Sequence, residues 1–149
     1  MRAVIQRVNR ASVSINSQLY SAINNGLLVL LGVEEGDSEK DTEYILDKTI
    51  NLRIFEDKDG KMNLSLLDTG GELMVVSQFT LLGDCIKGRR PSFTRAAEPV
   101  LANRLYEHFI TLASAKVKKL ATGRFQEMMD IELVNNGPVT ILLDSRKTF

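Results

Sequence analysis

The stretch "ELMVVSQFTLLG", residues 72–83, restricts this chain more than any other. It is rich in apolar and β-branched residues and reads as a buried strand, which needs other layers to cover it. Ser77, Gln78 and Thr80 interrupt it. In an undistorted strand Gln78 and Thr80 share one face, and Ser77 shares the other with Phe79. Polar groups in a core strand are a local inconsistency of the kind functional sites produce; the plain alternative is a strand end whose polar groups meet water or backbone.

The rest of the chain supplies the layers. Residues 2–15 alternate clearly at "SVSI", and "LLVLLGV" (27–33) is a short apolar run; both read as strands, with "NNG" at 24–26 as the turn between them. "SEKD" (Ser38 to Asp41) resembles a capping box, and Ile45, Leu46, Thr49 and Ile50 follow at helical spacing. A second helix starts at Pro99, a favoured first position, with Leu101, Leu105, Phe109 and Leu112 as its apolar stripe and Lys116, Lys118 and Lys119 in or past its last turn. "RFQEMMDIELV" and "VTILLDS" read as two strands joined by an "NNGP" turn, and "LRIF" as a short extra strand. The expected fold is α+β: a single domain over residues 1–149, mostly antiparallel, with the helices on one side.

Composition bounds the setting. The N-terminus carries charged or polar residues every few positions, so it is neither a secretory signal nor a membrane span, and a cytoplasmic protein is expected. One cysteine, Cys85, excludes an internal disulfide framework and any multi-thiolate metal site. Lys and Arg number 19 and so do Asp and Glu, which argues against a general nucleic-acid binder. The charges are nevertheless uneven. "KGRRPSFTR" holds Lys87, Arg89, Arg90 and Arg95 with no acid, and Lys116, Lys118, Lys119 and Arg124 form a second basic stretch. Such patches meet phosphates whatever the net charge, or are simply solvated surface.

Few residues offer chemistry. The single histidine, His108, falls mid-helix beside Phe109, and Cys85 has no base near it in sequence. No serine sits in a nucleophile-elbow motif, and no Walker or Rossmann loop is present. "FEDKDGKM" imitates a calcium loop, but the first and twelfth ligand positions would be Phe55 and Leu66, so it reads as a turn. No metal or cofactor is expected.

Taken together, "MRAVIQRV", "VSQFTL", "RRPSF" and "NGPVT", in this order, resemble the D-aminoacyl-tRNA deacylase family, formerly described as D-tyrosyl-tRNA deacylases. The likeness runs from Met1 to about Ser145. Gln126 and Glu127 stand where the family usually has a Gly-Ala pair after the phenylalanine of "TGxF", and "NNGPVT" replaces a commoner Asn-Asp; both changes flank the signature residues and bear on tuning.

The resemblance implies a β/β/α deacylase-like homodimer that hydrolyses the ester of D-aminoacyl-tRNA in chiral proofreading, and that also acts on tRNA-Ala mischarged with glycine. It implies that Ser77, Gln78, Phe79 and Thr80 line the catalytic pocket, and that Gly137 and Pro138 of the partner subunit enter it with a cis peptide bond. Lys87, Arg89 and Arg90 are then expected on tRNA phosphates. The other function class is a non-catalytic tRNA-binding dimer of the same fold, with Gln126 and Glu127 crowding the pocket; a hydrolase using Cys85 is a third.

Overall fold

The computed structural model, which describes residues 1–149, is organised around its first strand, β1 (Arg2–Ile15). Ala3, Ile5, Val13 and Ile15 point inward, as alternation predicts. Along one edge β1 pairs antiparallel with β2 (Gln18–Ile23) through its second half and with β3 (Gly26–Gly32) through its first. Its other edge carries a strand near the C-terminus, Asp130–Asp144, also antiparallel.

The chain then leaves β3 through α1 (Glu39–Asn51), a ribbon of β4 (Phe55–Glu56) and β5 (Met62–Leu64), and the single turn α2 (Leu66–Thr69). It returns as β6 (Glu72–Ser77), parallel to β3, and α3 (Pro99–Ser114) leads to β7 (Leu120–Thr122), parallel to β6. Parallel neighbours require such crossovers, and the helices inside them cover the sheet. The strand Asp130–Asp144 is β8.

Local chemistry sets the helix ends as expected. Asp41 accepts hydrogen bonds from the Ser38 N–H at 2.9 Å and the Ser38 hydroxyl at 2.8 Å, and Pro99 opens α3. Ile45, Leu46 and Ile50 of α1 and Leu105, Tyr106 and Phe109 of α3 bury against Ile5, Val29 and Val75. Each such apolar side chain contributes roughly 1.5–3 kcal/mol when fully buried. The sheet curls until the Ser21 hydroxyl of β2 donates to the Thr122 carbonyl of β7 at 2.7 Å, enclosing a second core of Val13, Leu28, Met74 and Val76.

Several expectations need correction. Most pairings are antiparallel as expected, but β6 joins β3 and β7 in parallel, so the single six-stranded sheet is mixed, with a separate two-stranded ribbon beside it. The buried strand of residues 72–83 ends at Ser77, and Phe79–Leu82 form a 3₁₀ turn. The strand expected from residue 124 starts at Asp130, while β2, β5, α2 and β7 had no expectation. "NNGP" is no hairpin turn: both flanking halves belong to β8 and pair with the same strand, β1. The calcium-like loop is a turn, with Asp57 accepting from the N–H groups of Asp59 and Lys61 at 2.9 and 3.0 Å.

Candidate active site

Parallel strands present a crevice at their carboxyl ends, where the crossovers leave the sheet. Here β3 and β6 end side by side, Leu31 opposite Ser77, over a cleft of about 690 Å³. Ser77, Gln78, Phe79 and Thr80 form one wall, Ala96 and Ala97 another, and residues Phe125–Met129 a third. Most of the lining is apolar.

The polar interruption now has a structural reason. Gln78 prolongs the ladder by donating its N–H to the Leu31 carbonyl at 2.8 Å, and the chain then turns into the 3₁₀ segment. Gly32 makes this fold-back possible, since a Cβ there would lie 2.9 Å from the Gln78 carbonyl oxygen and 2.7 Å from Leu82 Cδ2. The Gln78 side-chain amide donates to the Thr80 hydroxyl, so the two side chains meet although the strand that was to align them has ended. The N–H groups of Phe79 and Thr80 open a 3₁₀ turn, where the i→i−3 ladder offers them no acceptor. Phe79 is exposed, and its ring meets Phe93 edge-on at 5.1 Å.

The far side of the cleft is built on α3. Tyr106 is buried and donates its hydroxyl to the Val75 carbonyl at 2.9 Å; burial pushes its phenol far above the ordinary value, so it stays a neutral donor. Ala96 and Ala97 are fixed through Arg95, which donates through Nε at 2.8 Å and through a terminal nitrogen at 2.5 Å to the buried Glu34 carboxylate. The backbone adds Ala97 N–H to Val33 O at 3.0 Å and Glu35 N–H to Arg95 O at 2.9 Å.

Gly137 and Pro138 lie elsewhere. The β1 register passes from Val8 opposite Asn135 to Gln6 opposite Thr140, so residues 136–139 face Arg7 alone. That is an enlarged bulge. Asn135 braces it from within, accepting from Val139 N–H at 2.8 Å and donating to Gln6 Oε1 at 2.6 Å. Gly137 takes φ +122°, a region that favours glycine, and the Gly137-Pro138 bond is cis. Both residues are exposed, and neither lines the cleft of its own chain.

Arg7, Asn135, Tyr106 and Glu34 escaped the sequence reading. Arg7 alone left a signal there, a charge in phase with the inward-facing Ala3 and Ile5. Lys87, Arg89 and Arg90 are exposed on a loop that the backbone pair Asp84–Ser92 closes at 2.7 and 2.9 Å, with Gly88 at φ +75°. None of the three forms an ion pair within the chain. His108 and Cys85 do not line the cleft. No group of three or more His, Cys, Asp or Glu gathers to hold a metal ion, and no helix is long and apolar enough to cross a membrane.

Comparison with known proteins gives a consistent picture. Residues 4–144 match the family model described as D-Tyr-tRNA(Tyr) deacylase. The D-aminoacyl-tRNA deacylases of Syntrophus aciditrophicus and Clostridioides difficile are each 58% identical over 149 residues, covering 100% of both chains. Among solved structures, a c-Myc DNA Unwinding Element Binding Protein superposes with TM-score 0.92 at 39% identity, covering 97% of this chain and 98% of that one. A probable eukaryotic D-amino acid tRNA deacylase shares the fold, with TM-score 0.80 at 15% identity over 95% of this chain and 97% of its own.

Proposed function

The chain belongs to the D-Tyr-tRNA(Tyr) deacylase family and hydrolyses the ester of D-aminoacyl-tRNA, and we propose that it does so as a homodimer, each cleft completed by Gly137 and Pro138 of the partner subunit. The observation that carries this reading is the bulge itself: exposed, braced by Arg7 and Asn135, and outside its own chain's cleft. A rigid main-chain wedge of this kind needs a receiving surface. The open rim of the cleft, with exposed Phe79, Thr80 and Met128, is the complementary feature.

The chemistry asks little of side chains, because an aminoacyl ester is already activated. Water adds to the ester carbonyl, the bond to the ribose 3′ oxygen breaks, and the proton lost by water reaches that oxygen through the neighbouring 2′-hydroxyl. The products are the D-amino acid and free tRNA. The N–H groups of Phe79 and Thr80, with Gln78 and Ser77 beside them, stabilise the negative charge that develops on the carbonyl oxygen. One such donor is typically worth about 2.7–4 kcal/mol. Thr80 positions the substrate and is not the nucleophile, since its hydroxyl meets the Gln78 amide, which is no base.

The wedge supplies handedness. A main-chain carbonyl near the substrate α-carbon tolerates a hydrogen where an L-residue carries its side chain, so L-esters are rejected whatever that side chain is. Glycine has no side chain to reject, so glycyl esters pass the same filter. Lys87, Arg89 and Arg90 meet the phosphates of the tRNA acceptor end, and the enzyme works in the cytoplasm with its substrate.

The test compares D-tyrosyl-tRNA with L-tyrosyl-tRNA at enzyme well below substrate. Rapid loss of the D-ester with the L-ester intact, unchanged by Cys85→Ala, is expected; equal inertness toward both would sink the reading. Subunit exchange tests the dimer. Gly137→Ala chains mixed with chains whose cleft is filled by Thr80→Trp should regain activity in the heterodimer, and no regain would mean that each chain builds its site alone.

A further inference from the structure

The 3₁₀ turn that carries Phe79 and Thr80 is tethered from outside the cleft. Its backbone bonds, Leu81 N–H to the Gln78 carbonyl at 3.3 Å and Gly83 N–H to the Thr80 carbonyl at 3.0 Å, leave the Leu81 carbonyl to a side chain. That side chain is Arg2, which donates a terminal N–H to it at 3.1 Å and does not itself line the cleft. The sheet explains the reach. Arg2 stands directly opposite Gly32 on β3 and Asp144 on β8, and cross-strand neighbours project to one face. On that face the turn occupies the room left by the glycine, where a Cβ would lie 3.2 Å from Leu81 Cβ, so the side chain at position 2 is aimed at the turn. The guanidinium is steered from its other side as well. Its Nε stands 3.5 Å from the fully buried Asp144 carboxylate, an ion pair without a hydrogen bond, and its Cζ lies 5.9 Å from the centre of the Phe149 ring.

From this tether we infer that Arg2 is a positioning residue for the reaction: by holding the Leu81 carbonyl it keeps the turn oriented so that the Phe79 and Thr80 N–H groups face the ester. This rests on the proposed role of those N–H groups in stabilising the developing oxyanion. Such donors are effective only while their peptide planes are fixed in advance. A four-residue 3₁₀ segment has poor internal hydrogen-bond geometry, and a planar guanidinium already steered by Asp144 and Phe149 loses little further freedom when it donates to the turn. The tether acts on rate and leaves handedness alone, because the wedge of Gly137 and Pro138 is braced separately by Arg7 and Asn135.

The experiment measures kcat and KM on D- and L-tyrosyl-tRNA for the native chain, Arg2→Met, Arg2→Ala and Arg2→Lys. Methionine keeps the aliphatic stem and removes the donor, so kcat should fall roughly 10- to 100-fold with KM and the D-to-L ratio near native. Arg2→Lys, which keeps one donor, should recover part of the loss. Free guanidinium ion, far below denaturing concentrations, should speed Arg2→Ala and not Arg2→Met, whose side chain fills the space. A native kcat in Arg2→Met overturns the inference, and so does a fall in kcat that tracks the thermal midpoint across the three variants. Hydrogen exchange at the Leu81 and Gly83 amides reads the turn without substrate and should quicken roughly tenfold in Arg2→Met and Arg2→Ala. Unchanged exchange overturns the inference even where turnover falls. Inertness of the native chain toward D-tyrosyl-tRNA would instead sink the proposed mechanism, with the tether still legible from these two amides.

Discussion

The Arg7 guanidinium donates through Nε to the main-chain carbonyl of Asn136 at 3.2 Å, immediately before Gly137. A second nitrogen of the same group donates to the Ile54 carbonyl at 2.6 Å. One buried cation therefore ties the bulge to the segment that enters β4. Arg7→Ala leaves both carbonyls without these donors, at a cost of roughly 2–4 kcal/mol. The thermal midpoint should fall by roughly 5–15 °C. Arg7→Lys, which cannot span two carbonyls, should recover only part of this, and both variants should lose preference for the D-ester, read from the ratio of D- to L-tyrosyl-tRNA hydrolysis.

Thr80→Ala should keep hydrolysis measurable, slowed by about 10- to 100-fold, because the backbone donors of residues 79 and 80 remain. Single-turnover rates with the D-tyrosyl ester decide it. Complete loss of turnover with unchanged binding would make Thr80 the nucleophile.

Replacing Lys87, Arg89 and Arg90 together by Ala should weaken tRNA binding and reduce the dependence of log Kd on log salt, by about 0.7–0.9 for each phosphate that is no longer neutralised. Titrations at several salt concentrations give the slope. An unchanged slope would mean that this exposed loop does not touch the phosphates.

Arg95→Ala should loosen the Ala96–Ala97 wall. Glu34 keeps Arg146 at 3.3 Å, so its charge is not abandoned, and the stability loss should be only about 1–2 kcal/mol. KM should rise more than kcat falls, with faster amide exchange at residues 96 and 97.

Stability should be flat from neutrality to about pH 4 and fall below it. Burial pushes the Asp144 carboxyl up, but the Thr148 hydroxyl, the Arg146 N–H at 2.8 Å and the positive charges of the Met1 ammonium and Arg2 together hold it below its ordinary value. Asp41 and Asp68 are lowered too. A depressed folded-state pKa means stability fully present above the unfolded value of 3.8 and lost as pH falls through the folded one. Asp144→Asn should lower the midpoint at pH 7 and flatten the acid fall, and denaturant melts between pH 2 and 7 check both.

Local signals in the chain determined the elements whose causes are local. Alternation specifies β1, Ser38 and Asp41 start α1, Pro99 starts α3, and the signature residues at 77–80 and 137–138 are identifiable without coordinates. Pairing is different, because it depends on residues far apart in sequence. Nothing within "NNGPVT" reveals that β1 runs along both its sides, so it reads as a hairpin turn until Arg7 stands opposite four residues. The parallel β3–β6 pair, the short β7 and the turn that ends β6 at Ser77 likewise arise from crossovers and from Gly32 admitting the Gln78 carbonyl. Only tertiary structure could bring residues 125–129 to the same cleft as Ser77, Gln78, Phe79 and Thr80, since these segments meet only through the crossover that sets β7 beside β6.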